Sequence, residues 1–382
     1  MAGRKLPSVI SYDKRGAIPV IVGLVMRILL TPILLVLLTP VAVASDRLPL
    51  FQDASIIKAV LTAPIAQAYA QRDQDVRLYI PGQFVYADAD GNKQRLDVSI
   101  RTRGLFRREY CDLPPLQLNF KKKQVKDTLF AGQNKLKVVA PCKHGAQWQQ
   151  KVVLEYLAYR TLQILSDTSF STRLIRLSYV DTDEKNEPWT DLVFVIEDDD
   201  DMADRLELVK LGVVANRFDQ LDRPATALAE LFQLLIANND YSVLQGPEGD
   251  VCCHNSEILA PKRNADSRIP VPFDFDLSGL VNAKYAAPPE HIPIRFVRTR
   301  YYRGLCHPPV VLEDAMAHVQ SKRAEILALY ASTTLLEPRT KASTYRYIEE
   351  FFELLDDPKR VQKEIVGRCR GEDELAEMLS RD

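Results

Sequence analysis

From Val76 to Phe120 apolar and polar positions alternate in short runs. Leu96, Val98 and Ile100 are separated by Asp97 and Ser99, and Leu116, Leu118 and Phe120 by Gln117 and Asn119, the period of half-buried strands. Asp90-Gly91, between Tyr86 and Leu96, predicts a hairpin turn. A short strand is expected at Leu136 to Val139. The period then changes: Leu154, Leu157, Ala158 and Leu165 recur at helical spacing, so Gln150 to Leu165 reads as one long helix. Two strands follow, Arg173 to Val180 and Leu192 to Ile196, the second continuously apolar as a buried strand is.

That strand runs into Glu197-Asp198-Asp199-Asp200-Asp201, where the composition shifts. With Asp204 the run lacks the glycine and terminal glutamate of a calcium loop, so it reads as a solvated acidic hinge. Beyond it helices are expected at Ala225 to Ala237, with Leu228, Leu231, Phe232 and Leu235 on one face, at Val311 to Tyr330 and at Ser343 to Leu355. Between the first two lies an irregular stretch with one strand, Ile269 to Leu277. Residues 45–75 read as a short helical lead-in. The expected domains are a strand-rich lobe over residues 76–197 with one inserted helix, a helical lobe over 198–335, and a helical extension over 336–382. The fold class is therefore α+β and two-lobed.

The segment Met26 to Ala44 places one Arg before an apolar run that ends in Ala42 and Ala44, the order of a cleavable secretory signal over residues 1–44. Pro32 and Pro40 break the run, which falls short of the ~20 uninterrupted apolar residues of a membrane span. Arg4, Lys5, Lys14 and Arg15 form a long basic leader, or translation starts at Met26; either predicts export, and an uncleaved anchor is the alternative. The expected location is periplasmic or extracellular, with no membrane span left after cleavage. The first 44 residues hold five Lys/Arg and one Asp, so removing them turns 50 basic and 51 acidic side chains into 45 and 50. That balance offers no attraction to nucleic acid or an anionic membrane. The six cysteines of an exported chain invite disulfides. Local order suggests Cys111 with Cys142, and Cys252 or Cys253 with Cys306, although sequence does not fix connectivity. No C-x-x-C pair suggests zinc, no G-x-S-x-G elbow suggests a serine hydrolase, and His254 beside Cys253 is too little for a metal site.

Candidate chemistry concentrates in Ile269 to Gly279. Val271, Phe273, Phe275 and Leu277 would share one face of a strand, leaving Asp274 and Asp276 together on the other. Two carboxylates so spaced form an oxygen site for Mg²⁺, although solvent-facing acidic pairs also occur at strand ends. Upstream, Asp240 follows an apolar helix in Ile236-Ala237-Asn238-Asn239-Asp240-Tyr241-Ser242. An Asp held there suits a base toward a substrate hydroxyl, although Asn-Asn-Asp alone is also a common helix end. Asn255 offers a neutral oxygen for a second metal contact. Base, metal amide and metal carboxylate, in the order Asp240, Asn255, Asp274, are the parts of a phosphoryl-transfer site. Lys137 on a predicted strand, followed by Glu155 on the next helix, would hold nucleotide phosphates as a pair.

The chain at this point resembles the spore-coat-protein-H-like atypical kinases, from about Asp97 to Tyr330. Ile100-Arg101-Thr102-Arg103-Gly104 is similar to that family's R-x-R-G segment, Asn239-Asp240-Tyr241-Ser242 to its N-x-D-W segment, and Pro272-Phe273-Asp274-Phe275-Asp276 to its P-W-D-x-D strand. The resemblance implies a protein-kinase-like fold, ATP with Mg²⁺ or Mn²⁺, and phosphoryl transfer to protein hydroxyls or another hydroxyl-bearing envelope substrate. It also implies that Asp240 is the base and Asp274 the metal carboxylate.

Two departures stand out. Asp240 and Asn255 are fifteen positions apart where a kinase loop has five; a disulfide from Cys252 or Cys253 to Cys306 would fold the interval back, and without one Asn255 is a bystander. The H-R-D and G-x-G-x-x-G signatures are absent, which leaves phosphate binding to Arg103, Gly104 and nearby backbone. The basic aromatic run Arg295 to Arg303 suits an acidic substrate or phosphate, or equally a cationic strip packed on the acidic hinge. The rival readings are a kinase-fold envelope protein that binds without turnover and a metal-dependent hydrolase built on the same carboxylates.

Overall fold

A computed structural model of the chain describes residues 47–88, 90–247, 250–263 and 265–371. The expected signal over residues 1–44 lies outside the described residues. The front of the chain runs β1 (Ile57–Ala63), α1 (Ile65–Tyr69), β2 (Ile80–Ala87), β3 (Lys93–Thr102), α2 (Phe106–Tyr110), β4 (Leu116–Phe120), α3 (Lys122–Val125) and β5 (Lys135–Val139). Next come α4 (Ala146–Leu165), β6 (Thr172–Asp181), β7 (Trp189–Ile196), α5 (Asp199–Arg205), β8 (Val209–Lys210) and α6 (Arg223–Ile236). Then follow β9 (Ser256–Ala260), β10 (Ile269–Pro272), α7 (Pro309–Ser321), α8 (Arg323–Ser332), α9 (Pro338–Leu355) and α10 (Pro358–Glu364).

The expected two-lobed, protein-kinase-like arrangement is not what forms. The front strands close into a seven-stranded barrel in the order β1-β2-β3-β4-β5-β7-β6, and β10-β9-β8 make a separate three-stranded sheet among the helices. Closure comes from β1, which pairs antiparallel with β2 (Ala59 opposite Tyr86) and parallel with β6 (Ile57 opposite Ile175). Both sheet edges are thereby consumed, which removes the open edges that strands otherwise expose. The helical lead-in expected before residue 75 hides this strand. Ile57, Ala59, Leu61 and Ala63 are buried, but two of these four are alanines, so the alternation is faint in sequence. Instead of one helix, α1, α2 and α3 are also inserted between the barrel strands.

The barrel interior is packed by Phe84, Tyr86, Leu96, Val98, Ile100, Phe120 and Phe130. Along β6 and β7 the faces divide. Ile175, Leu177, Val193 and Val195 join the barrel core, while Leu174, Leu192, Phe194 and Ile196 pack against the helices. This two-sided burial is why Leu192 to Ile196 is continuously apolar. Helix α4 lies on the outer face of these strands and also touches α6 and α8. The hairpin at Asp90-Gly91 forms as expected, with Gly91 at φ 83° and its N–H donating to the Asp88 carbonyl.

Other expectations are modified. The helix expected over Val311 to Tyr330 is two helices that meet at Lys322. The strand expected over Ile269 to Leu277 stops at Pro272. In the acidic run, Glu197 is fully buried and its carboxylate takes a paired contact from Arg205, while Asp198 caps α5 by accepting the N–H of Asp200. All six cysteines are bonded: Cys111–Cys142 as expected, but Cys306 with Cys369, and Cys252 with its neighbour Cys253. Among the described residues no helix is long and apolar enough to cross a membrane.

Phe130 meets Phe84, Tyr86 and Phe120 at ring-centroid distances of 5.2, 5.0 and 5.4 Å and is fully buried. Phe130→Ala is expected to cost about 3–5 kcal/mol in denaturant unfolding. The exposed Val76→Ala is expected to stay within about 0.5 kcal/mol. A loss below about 1 kcal/mol at Phe130 would contradict a packed barrel interior.

Candidate functional site

Arg103, Gly104, Lys137, Glu155, Asp240, Asn255, Asp274 and Asp276 all line one cavity of about 520 Å³. A volume of this size is typical of small-molecule sites. The apolar part of its wall includes Val139, Phe170, Ile196 and Phe273, with Phe170 and Phe273 6.0 Å apart between ring centroids.

Backbone pairing explains how distant segments meet. Helix α6 ends at Ile236, and Ala237 takes the left-handed conformation that more often calls for glycine. The carbonyls of Ile236 and Ala237 accept the N–H groups of Leu280 and Gly279, each at 2.9 Å, so the chain after Asp276 completes the end of α6. Gly279 admits no side chain: a Cβ there would lie 2.7 Å from both the Tyr347 hydroxyl and the Val297 carbonyl. On the other flank β10 pairs with β9, and the Phe273 N–H donates to the Asn255 carbonyl at 3.0 Å. The Ser242 N–H donates to the His254 carbonyl, also at 3.0 Å. The fifteen-residue interval is thus folded back by main-chain bonds, and the expected disulfide to Cys306 is not what returns Asn255 to Asp240.

Asp240 sits in a small polar knot. Asn255 Nδ2 donates to its carbonyl at 2.7 Å and to its Oδ2 at 2.9 Å, while His254 Nε2 lies 2.8 Å from Oδ1. Both amide protons of Asn255 are spent on Asp240, which leaves its Oδ1 as the acceptor for other groups. The hydrogen bond to Asp240 raises the His254 pKa above its ordinary value, against burial, with Asp240's charge adding to the rise.

Asp274 and Asp276 reach the cavity by a different geometry from the expected strand face. The chain has left β10, and Asp274 is itself left-handed, with φ 59° and its N–H donating to the Tyr159 hydroxyl at 2.9 Å. Asp276 is buried, accepts the Tyr285 hydroxyl at 2.8 Å and lies 3.8 Å from Arg107 Nε. Burial, and then the nearby charge of Asp274, push the Asp276 carboxyl above its ordinary pKa.

Lys137 and Glu155 do not pair. Lys137 Nζ contacts Asp199 at the start of α5, and Asp199 also meets Lys210. Glu155, buried in α4, takes its charge partner from Arg107 at 3.3 Å. Burial raises the Glu155 pKa; Arg107 opposes that rise, and the charges of Asp276 and Asp274 add to it. Arg107 and His254 are therefore the functional candidates that sequence reasoning missed. The available signals were the density of arginines at 101, 103, 107 and 108, and the position of His254 directly before Asn255.

A divalent cation fits these residues in part. Among the described residues no group of three or more His, Cys, Asp or Glu side chains is placed to hold a metal. Asp274, Asp276 and the Asn255 oxygen are a smaller set, of the kind that suits Mg²⁺ when phosphate and water complete its shell. An anion fits as well: Arg107, whose Nε is buried without a hydrogen-bond partner, and Arg103 line the same cavity. No protein-family model matches the chain, and no curated protein matches it in sequence. The likeness to spore-coat-protein-H-like kinases rests on its three motifs alone.

Because the His254 pKa is raised chiefly by Asp240, Asp240→Asn is expected to move it down toward 6.5 in an NMR titration of the histidine rings. The pair's contribution to stability is present below the unfolded-state pKa and is lost as pH rises through the folded one. An unchanged His254 titration in Asp240→Asn would show that the two side chains do not interact in solution.

Proposed function

We propose that this chain is an exported ATP-dependent phosphotransferase acting on a hydroxyl of protein or of another envelope component. The observation that carries the reading is the convergence on one cavity of eight residues whose chemistry suits phosphoryl transfer, scattered from position 103 to position 276. Bound ATP with Mg²⁺ or Mn²⁺ would supply the phosphoryl group, its bond to ADP breaking as a bond to the acceptor oxygen forms. Asp274, Asp276 and the Asn255 oxygen would hold the cation, which offsets the repulsion between the two carboxylates. Arg103, Arg107 and Lys137 would face the phosphates, with Gly104 leaving backbone open to them. In this reading Glu155 acts by orienting Arg107 instead of Lys137.

Asp240 would take the proton of the acceptor hydroxyl. Its two oxygens already accept bonds from His254 and Asn255, and a carboxylate has lone pairs to spare for a third donor. Export is supported by the signal-like order of residues 26–44 and by three disulfides. A second reading, nucleotide binding without turnover, is favoured by the engagement of Lys137 with Asp199.

Thermal unfolding of the purified protein with ATP and Mg²⁺ tests the site. Ligand at about 100 times its dissociation constant is expected to add roughly 2.7 kcal/mol, abolished by chelator and by Asp274→Ala. Radiolabel transfer to an acidic protein such as casein is expected in wild type and lost in Asp240→Asn. A thermal shift without transfer selects the second reading, and no shift in wild type ends both.

A further inference from the structure

A second cavity, of about 410 Å³, meets the first at Asp240 and His254, which line both. Its other polar groups include His291, Arg303 and Arg370, and among the described residues Asp240 is the carboxylate in its wall. We infer that this cavity receives the acceptor, and that the acceptor is a peptide whose Ser or Thr has a carboxylate or phosphate side chain close by. The inference rests on the phosphotransferase reading for the role of Asp240; the anion preference rests on the arginine pair.

Arg303 comes from the basic aromatic run, but its neighbours there have other duties. Arg298 and Arg300 stack on the Tyr347 ring at 4.0 and 3.9 Å, and Arg300 also donates to main-chain carbonyls. Arg303 instead turns to the site. Its Nη1 donates to the carbonyls of Asn239 and Tyr241, its Nη2 lies 3.2 Å from His291 Nε2, and it stands 5.6 Å from the Tyr241 ring centre. These contacts fix the guanidinium on both sides of Asp240 in sequence without neutralising it.

Arg370 arrives from the far end of the described chain. Its N–H donates to the Gly304 carbonyl at 2.9 Å, its carbonyl accepts the Cys306 N–H at 3.0 Å, and the adjacent Cys369 is bonded to Cys306. Its Nε is buried without a hydrogen-bond partner. Among the described residues neither arginine forms an ion pair. Burial and then the charges of Arg303 and Arg370 lower the His291 pKa, and burial lowers that of Arg303, with Arg370 adding to the fall and Tyr241 and Asp240 opposing it. Two like charges lining one cavity are relieved by an anion, which paired guanidinium groups bind through charge-assisted hydrogen bonds. A hydroxyl that reaches Asp240 from this side brings its neighbouring residue toward the arginines.

Fluorescence anisotropy with the whole exported protein, in the absence of nucleotide, tests this. Four labelled peptides share one Ser and differ in its neighbour: Glu, phosphoserine, Gln or Lys. The Glu and phosphoserine peptides are expected to bind at least about tenfold tighter than the Gln peptide, and the Lys peptide more weakly still. Arg370→Gln is expected to bring the acidic peptides to the level of the Gln peptide, its fold checked by circular dichroism. Equal binding of acidic and neutral peptides to wild type overturns the inference without any variant, and so does a folded Arg370→Gln that keeps the preference. Acidic binding without phosphate transfer would leave the arginine pocket standing and fail the phosphotransferase reading. Transfer with no acidic preference would do the reverse.

Discussion

A helix buried on nearly every side cannot carry a carboxylate without a partner, and Glu155 is that carboxylate. Trp148, Val152, Val153, Leu154, Tyr156, Leu157, Ala158 and Tyr159 around it are all buried, because α4 lies between the barrel and the helices. An uncompensated charge there would cost several kcal/mol. Arg107 meets the requirement, and in doing so ties three parts of the chain together. It contacts Glu155 on α4, comes within 3.8 Å of Asp276 beyond β10, and donates to the Ala140 carbonyl just after β5. The Cys111–Cys142 bond closes the same region covalently.

The other half of the site is held by main chain. The end of α6 is satisfied by Gly279 and Leu280, and β9 is satisfied by β10, so Asp240, Asn255 and Asp274 have little freedom to separate. Ala237, Asn255 and Asp274 all adopt left-handed backbone at this junction. Such residues tend to cluster at functional sites, where surrounding hydrogen bonds hold conformations that an isolated chain avoids. A site assembled in this way has its acidic groups fixed before any ligand arrives. Preorganisation of this kind is what the proposed proton acceptance and cation binding require.

Local structure was largely legible before the fold was known. Strands β3 and β4 and the helix to Leu165 follow from period, since side-chain spacing is a property of each segment by itself, and the strand to Ile196 follows from its unbroken apolar run. The candidate residues were legible because carboxylates beside Gly-, Asn- and Tyr-rich turns are chemically conspicuous. Three things were not legible. Strand β1 was masked by its small inward residues, Lys137 and Glu155 exchanged expected partners for Asp199 and Arg107, and Cys306 paired with Cys369 across 63 residues.

By itself the sequence determined most of the strands from 93 to 196 and the longer helices, which side chains have chemistry to offer, and that Cys111 and Cys142 lie close enough in the chain to pair. Only the tertiary structure decided that the strands close on themselves and which charges meet. The reason is physical: closure depends on β1 reaching β6 more than a hundred residues away, and a buried ion selects the partner that shares its desolvated volume. Neither distance nor burial is written in the order of residues along the chain.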